Sequence, residues 1–513
     1  MSGTPHGNAQ WANREHLEDN GFSITRQLLA DRFILGKFVP VPSDSPHPMH
    51  QAFYEGRKYR SLGDFGYLGV KEDGHIITVA PTRSGKGVGF VIPNLLNYDG
   101  SAIVIDPKGE NFAKTVDYRE NHLGQEVWCF DPFRLEQDWE LHGFALLKRV
   151  KAAFDLLDDR NEEAASLYAD VSRIAEAMVI RKRDEKDPFF NTAARSIIKN
   201  LILLILWASP RDKRCPPISK LRHLVVDSLQ LDRLIKSVKT AIVSNGGASP
   251  RNVVAIEAVH EIEGYRDNRD VMATVLMQTE FLEDDDVFAI LDGDSSKCEK
   301  VFDPEMLNLS GQKHTIYLIV PPHHLERQSR FLRLIITLCM DAIMRRDTAF
   351  KDVGKYAHTL FMLDEIAQLG RLEPVQKAVS LAAGYGMTLW MFWQDLAQLK
   401  GLYPEDYTSF LSNAKIQQFF GCNDIETAKY ISERCGPRTR YTYSENDQVT
   451  TRGFHVDGSS GITVNKIAGE FVRPSEILRA DASIVFLFSQ GCFPSLCEKI
   501  RYYNDGTFSK RQR

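Results

Sequence analysis

No stretch of this 513-residue sequence is a long hydrophobic run. The longest uninterrupted apolar stretch, "LILLILWA" from Leu201 to Ala208, has eight residues, where spanning a bilayer takes about 20. The opening "MSGTPHGNAQWA" has no apolar core of the kind a secretory signal carries. The chain as given is therefore expected to contain no transmembrane segment and to work on the cytoplasmic side. Cysteine is sparse and unpatterned: the eight residues form no CxxC pair, and several sit in apolar runs such as "IITLCMDAIM". That spacing favours buried, reduced thiols over a disulfide framework or a zinc site. Bulk basicity is lacking too. A net charge of −5 and a pI near 6.3 advertise no nucleic-acid binder, although a channel can be locally basic in an acidic protein. Internal repeats and low-complexity tracts are absent.

What is present is the composition of a folded soluble protein, 43% hydrophobic and 26% charged, over a length that suits two to four domains. Residues 1–70 read as a mixed, loop-rich segment with prolines at 40, 42, 46 and 48. Strands follow at "HIITVA" (75–80), "SAIVIDPKGE" (strand 102–105) and "QEVWCFDPF". Strand, helix and strand at this spacing predict a parallel α/β sheet. From 136 to 305 the apolar residues recur at three and four, as in "EEAASLYADVSRIAEAMVIRKR", which predicts an inserted all-α domain with a break at Asp187-Pro188. Strands return at "HTIYLIVPP", "HTLFMLDEIAQLG", "GMTLWMFWQD", "IQQFFGCND" and "SIVFLFSQG". The polar stretch from Pro437 to Val464 is expected to form a hairpin or a mobile loop. The expected domains are thus 1–70, 71–135 and 306–513 as the two parts of one nucleotide-binding domain, and 136–305 between them.

Three pieces carry chemistry. "APTRSGKGVG" lies between a β-branched strand and an apolar helix, the setting in which a glycine-rich loop wraps phosphate with backbone N–H groups and a lysine. Two positions depart from the general pattern: Ala80 replaces the first glycine, and Gly87 stands where a Ser/Thr hydroxyl would hold Mg²⁺. Thr82 or a water is the substitute that the sequence offers. "TLFMLDEIAQ" ends a buried strand in Asp364, placed to hold Mg²⁺ directly or through water, and Glu365, placed to polarise an attacking water. An acidic helix cap is the bland reading of the same pair. Gln394 caps the next strand, at the edge where it would sense a γ-phosphate. Asp106 reads as structural before catalytic, and Lys108 as a weak candidate for phosphate.

These stretches, with "GSAIVIDPKGENFAKT", "DPFFNTAAR" and "SNAKIQQFFGCNDIETAKYISERCG", resemble in order the type IV secretion coupling proteins, the TraG/TraD-like conjugation ATPases. The resemblance implies an α/β fold: a RecA-like P-loop NTPase domain with a mainly parallel central sheet and an inserted all-α domain, akin to the FtsK/HerA translocases. It implies ATP and Mg²⁺ as cofactors. It carries nucleotide contact to Thr82, Arg83, Ser84, Gly85, Lys86, Gly87 and Val88, Mg²⁺ linkage to Asp364, and catalysis to Glu365, Gln394 and Lys86. It makes Gly87 a subfamily trait. The implied activity is an ATP-driven hand-over of single-stranded DNA with its relaxase, or of secreted proteins, to the secretion channel. The implied site of action is the cytoplasmic face of the bacterial inner membrane, beside the secretion system's inner-membrane components. The working form is a ring, usually a hexamer, and a monomer where the anchor is missing.

Three departures from the family pattern stand out. Where some members carry a finger arginine before "GYGMTLW", this chain has Ala382 and Ala383, which leaves Arg371 as a candidate. "HGNAQWA" resembles the segment that follows the family's membrane anchor, so the anchor is expected to be either removed or naturally missing. The chain also ends without a long acidic tail. A non-motor docking platform and a soluble FtsK/HerA-like DNA pump are the competing readings. "RTRYTY" (Arg438–Tyr443) pairs cations with aromatics, which suits either single-stranded nucleic acid or a solvated loop.

Overall fold

The computed structural model describes residues 9–40, 66–71, 74–159, 161–180, 187–211, 215–244, 249–293, 297–345, 356–452 and 455–511. In chain order the first eight strands are β1 (Phe22–Thr25), β2 (Arg32–Phe38), β3 (Tyr67–Lys71), β4 (His75–Val79), β5 (Ser101–Ile105), β6 (Glu126–Phe130), β7 (Gly143–Phe144) and β8 (Val301–Phe302). They are followed by β9 (His314–Leu318), β10 (Thr359–Leu363), β11 (Met387–Trp393), β12 (Ala414–Phe419), β13 (Pro437–Arg452), β14 (His455–Glu470), β15 (Ile484–Ser489) and β16 (Ser495–Glu498). Twelve of these form one sheet in the order β1-β3-β2-β16-β15-β12-β4-β11-β10-β5-β9-β6.

From β12 to β6 every pairing is parallel. The central strands β4, β11, β10, β5 and β9 are buried from end to end, because helices cover both faces of a parallel sheet. Alternate residues of β5 show the two faces. Ala102 and Val104 pack with Phe90, Leu95 and Phe112 of the helices that follow β4 and β5. Ile103 and Ile105 join a second core shared with the helix Leu325–Met344 and the helical block.

That block lies between β7 and β8, which pair in parallel, Gly143 beside Val301, so the chain enters and leaves it at neighbouring points. Its longest helix, Phe189–Ala208, begins just after Pro188, and Asp187 accepts from the Phe189 N–H at 2.9 Å. This is the break that the sequence marks. Among the described residues this one helix is long and apolar enough to cross a membrane by length and composition. Lys199 and Asn200 divide its apolar run, so the uninterrupted stretch counts only Leu201–Ala208. In this structure 67% of its most apolar window is buried, against the helices Leu167–Met178, Pro250–Tyr265 and Arg269–Thr279.

The described residues of the first seventy, 9–40 and 66–70, carry regular elements that the sequence reading did not mark. A helix (Arg14–Asp19) leads into β1 and β2, which with β3 extend the sheet beyond the antiparallel strands β15 and β16. The alternating burial of Phe22-Ser23-Ile24-Thr25 is too short a signal to read as a strand without its partner. The polar stretch after 436 forms a long antiparallel hairpin, β13 with β14. The side chains of "RTRYTY" beyond Thr439 lie outside the described residues.

Candidate functional site

Four parallel strands, in the order β4-β11-β10-β5, end along one edge of the sheet. Val79 pairs with Trp393, Leu363 with Met391, and Met362 with Val104. The residues that follow, Ala80, Gln394, Asp364 and Asp106, are therefore delivered to one line, where open α/β sheets place their ligands.

The loop after β4 is shaped for an anion. Arg83 (φ 61°) and Gly85 (φ 87°) take left-handed conformations on either side of Ser84. Such alternation makes a concave nest of backbone N–H groups. For Arg83 the conformation is strained, and strain of this kind gathers at functional sites. Lys86 is only 8% exposed, and its ammonium donates to the Ala80 carbonyl at 3.1 Å. Ser84 Oγ is buried with no hydrogen-bond partner. A nest, a buried cation and an orphaned hydroxyl together fit a bound phosphate chain, which would satisfy all three. Val88 follows in the first helical turn, whereas Thr82 and Arg83 are exposed.

The helix after the loop opens as a wide turn over Gly87–Val91, with the Ile92 N–H reaching Gly87 O, and tightens to an α-turn at Ile92–Leu95. Pro93 lies in that second turn. It has no N–H and its ring crowds the fourth preceding carbonyl, which the widened register relieves.

Asp364 keeps some solvent contact but is surrounded by protein on most sides. Burial pushes its pKa up to about 6, against the pull of Lys86, and Glu365 pushes it further up. The Glu365 N–H (3.0 Å to Oδ1) and Lys108 pull it down. The charges of Lys86 and Lys108 are thus felt at Asp364, although Lys108 itself is exposed. Glu365 sits at φ 52°, a left-handed conformation for a residue with a side chain. Gln394 Nε2 donates to Glu365 Oε2 at 3.1 Å, and the Gln394 N–H donates to Gln398 Oε1 at 3.1 Å. The carboxylate that the sequence marks as water-polarising is therefore held by the side chain marked as γ-phosphate sensor. Two charges suited to a hard cation, Asp364 and Glu365, stand beside a cationic phosphate loop, which is the donor chemistry that Mg²⁺–nucleotide requires.

Asp106 is fully buried and accepts from the Phe112 N–H (2.8 Å) and from Asn111 Nδ2 (3.2 Å). It ties down the start of the helix Glu110–Asp117. Burial pushes its pKa up to about 7, opposed by the N–H groups of Phe112, Asn111 and Lys108. Arg371 is exposed and engaged on its own surface, 3.0 Å from Gln376 Oε1 and 3.3 Å from Asp406 Oδ2. All eight cysteines are free, and no cluster of potential metal-ligating His, Cys, Asp or Glu occurs among the described residues.

Two residues at the site carry no mark in the sequence. Asn111 lies under the phosphate loop and hides in an ordinary-looking helix start. Lys499, just past β16, donates to the Ser84 carbonyl, inside the loop, and to Ala482 O at 3.1 Å, with its ammonium 4.9 Å from the Phe420 ring centroid. No local signal could connect positions so far apart in the chain. Lys499→Met removes the brace on the loop while keeping the stem. The expected outcome is nucleotide affinity about tenfold weaker with the melting temperature changed little, read by calorimetric titration.

A family model described as type IV secretory system conjugative DNA transfer matches residues 10–513. The conjugal transfer protein TraG of Escherichia coli is 24% identical over 487 residues, covering 92% of this chain and 71% of TraG. Protein VirD4 of Rhizobium radiobacter is 26% identical over 445 residues, covering 86% of this chain and 59% of VirD4. Among solved structures, the plasmid coupling protein TrwB in complex with ADP and Mg²⁺ superposes with a TM-score of 0.56 at 12% identity, over 98% of this chain and 96% of that one.

Proposed function

Because this chain belongs to the type IV secretory system conjugative DNA transfer family, we propose that it is a coupling protein that binds ATP with Mg²⁺ and spends the hydrolysis on moving substrate towards a secretion channel. The observation that carries this reading is the contact between Glu365 and Gln394 beside the Lys86 loop. In it Thr82 to Val88 surround the phosphates and Lys86 neutralises the terminal ones. Asp364 holds Mg²⁺ directly or through water, and Mg²⁺ supplies charge neutralisation on the phosphates. Glu365 orients the attacking water, and Gln394 reports the γ-phosphate to it. In this reading residues 1–70 form an N-terminal segment, 71–135 and 306–513 are the two parts of the nucleotide-binding domain, and 136–305 is an all-α insertion between them. The cargo is single-stranded DNA with its relaxase or a secreted protein, taken up at the cytoplasmic face of the inner membrane by a ring, a hexamer when active. TraG, a relative, is named for conjugal transfer, and TrwB was solved with ADP and Mg²⁺.

The DNA part of the reading is tested by binding a fluorescent single-stranded oligonucleotide in Mg²⁺–nucleotide while following particle mass. Phosphate contacts predict a linear loss of log affinity with log salt and growth from monomer to ring. A flat salt dependence would point to protein cargo instead.

The raised pKa of Asp364 gives a pH test. Mg²⁺ requires the ionised carboxylate, so Mg²⁺-dependent nucleotide affinity falls as pH drops through about 6. Asp364→Asn removes both the Mg²⁺ dependence and this limb. The stability sign is opposite. A carboxyl with a folded pKa near 6 and an ordinary value of 3.8 gives the fold stability that is present below pH 3.8 and lost as pH rises through 6. Asp364→Asn therefore melts higher than the unaltered chain at pH 7 without ligand and no higher at pH 4, read by differential scanning calorimetry.

A further inference from the structure

Gly87 brings no hydroxyl to the place where a phosphate loop presents one to Mg²⁺. A Cβ at Gly87 would have one heavy atom within 4 Å outside its own neighbours and helix backbone: Asn111 Oδ1, at 3.8 Å. The direction in which a Ser or Thr side chain would leave the backbone thus runs towards an amide oxygen that is already there.

Asn111 is fitted for the part. It is 6% exposed, on the first turn of the helix Glu110–Asp117. Its Nδ2 donates to Asp106 Oδ1 at 3.2 Å, and the other oxygen of Asp106 takes the Phe112 N–H at 2.8 Å. The donor end of the amide is spent on the carboxylate, so the acceptor end is turned to Gly87. Side-chain amide carbonyls are ordinary hard ligands for divalent cations. Thr82, the hydroxyl that the sequence offers, is exposed instead.

We propose that Asn111, oriented by Asp106, supplies to Mg²⁺, or to a water on it, the oxygen that Gly87 does not provide. Gly87 and Asn111 then form one functional unit, in which the helix after β5 replaces a ligand lost from the loop after β4. Asp106 is the positioning residue.

This rests on the nucleotide site proposed above, and the test separates the two. ADP affinity of the full chain is titrated calorimetrically at free Mg²⁺ from none (EDTA) to saturating, with Mn²⁺ occupancy followed by electron paramagnetic resonance. Asn111→Ala is expected to raise the Mg²⁺ needed for half its effect about tenfold, with affinity in EDTA unchanged. Gly87→Ser in that background restores the requirement, since a Cβ there meets only ordinary contact. Gly87→Ser alone is expected to change it less than threefold. A requirement unmoved by Asn111→Ala, or lowered tenfold by Gly87→Ser alone, overturns the inference whatever the other variant does. If the unaltered chain binds no nucleotide at all, the nucleotide-site reading itself fails.

Discussion

Replacing Glu365 by Gln is expected to lower ATP turnover by about 10²–10⁴-fold while leaving Mg²⁺–nucleotide affinity within a few fold. The two effects separate because the Glu365 side chain is hydrogen-bonded by Gln394, on the next strand end, and not by the proposed phosphate loop. Its carboxylate hangs beyond the end of β10, held by Gln394 at 3.1 Å and aimed by a left-handed backbone at φ 52°. Gln keeps the size of the side chain and an oxygen for the Gln394 amide, but it cannot take a proton from water. Asp364, the proposed Mg²⁺ ligand, is untouched. Single-turnover phosphate release and a nucleotide titration on the same preparation give both numbers. Turnover within threefold of the unaltered chain would place the water-polarising group elsewhere.

The second large effect concerns stability. Arg119 is completely buried, and its guanidinium donates to the carbonyls of Leu95 (2.8 Å), Tyr98 (3.0 Å) and Gly100 (2.8 Å), to Gln125 Oε1 (2.7 Å) and to Thr315 Oγ1. These partners join the helix behind the phosphate loop to the starts of β5, β6 and β9. Burial pushes the Arg119 pKa down, with weaker opposition from Tyr317, Tyr98 and Asp99. A buried cation balanced mainly by carbonyl dipoles is stable only while every donor is used. Arg119→Met strands the buried carbonyls of Leu95 and Tyr98 at once, while Gly100 O keeps Gln125 Nε2 at 3.2 Å, and is expected to cost about 3–5 kcal/mol. The urea midpoint measures it, and a loss below about 1 kcal/mol would mean that water replaces the guanidinium. Leu95 ends the helix that starts at the loop, so the same variant weakens nucleotide binding.

The parallel centre of this fold was open to reading because strands buried on both faces are written as unbroken apolar runs. "HIITV", "TLFML" and "MTLWMFW" are three such strands, the first one residue shorter than the run "HIITVA". The candidate site was legible for the same reason: the polar residue that ends each run lies at the edge where open α/β sheets take their ligands. The outer strands were not. β1 and β3 are short, and β2 carries Gly36 and Lys37, so each looks like loop until its neighbour is known. The helix Phe189–Ala208 is long and apolar enough by composition to cross a membrane, yet most of its apolar window is buried against the neighbouring helices. Asn111 and Lys499 escaped because their meaning lies in what they touch. One faces a glycine on another element, and the other reaches a carbonyl from the far end of the sequence.

Steady-state phosphate release from Mg²⁺–ATP by the full chain, titrated with single-stranded DNA, tests most directly whether this site is the motor of DNA transfer. Turnover is expected to rise with DNA to a plateau and to vanish in Lys86→Ala, which lacks the ammonium proposed to neutralise the phosphates. Turnover that never exceeds that of Lys86→Ala, at any DNA concentration and with nucleotide bound, would contradict a motor and leave a nucleotide-regulated docking platform.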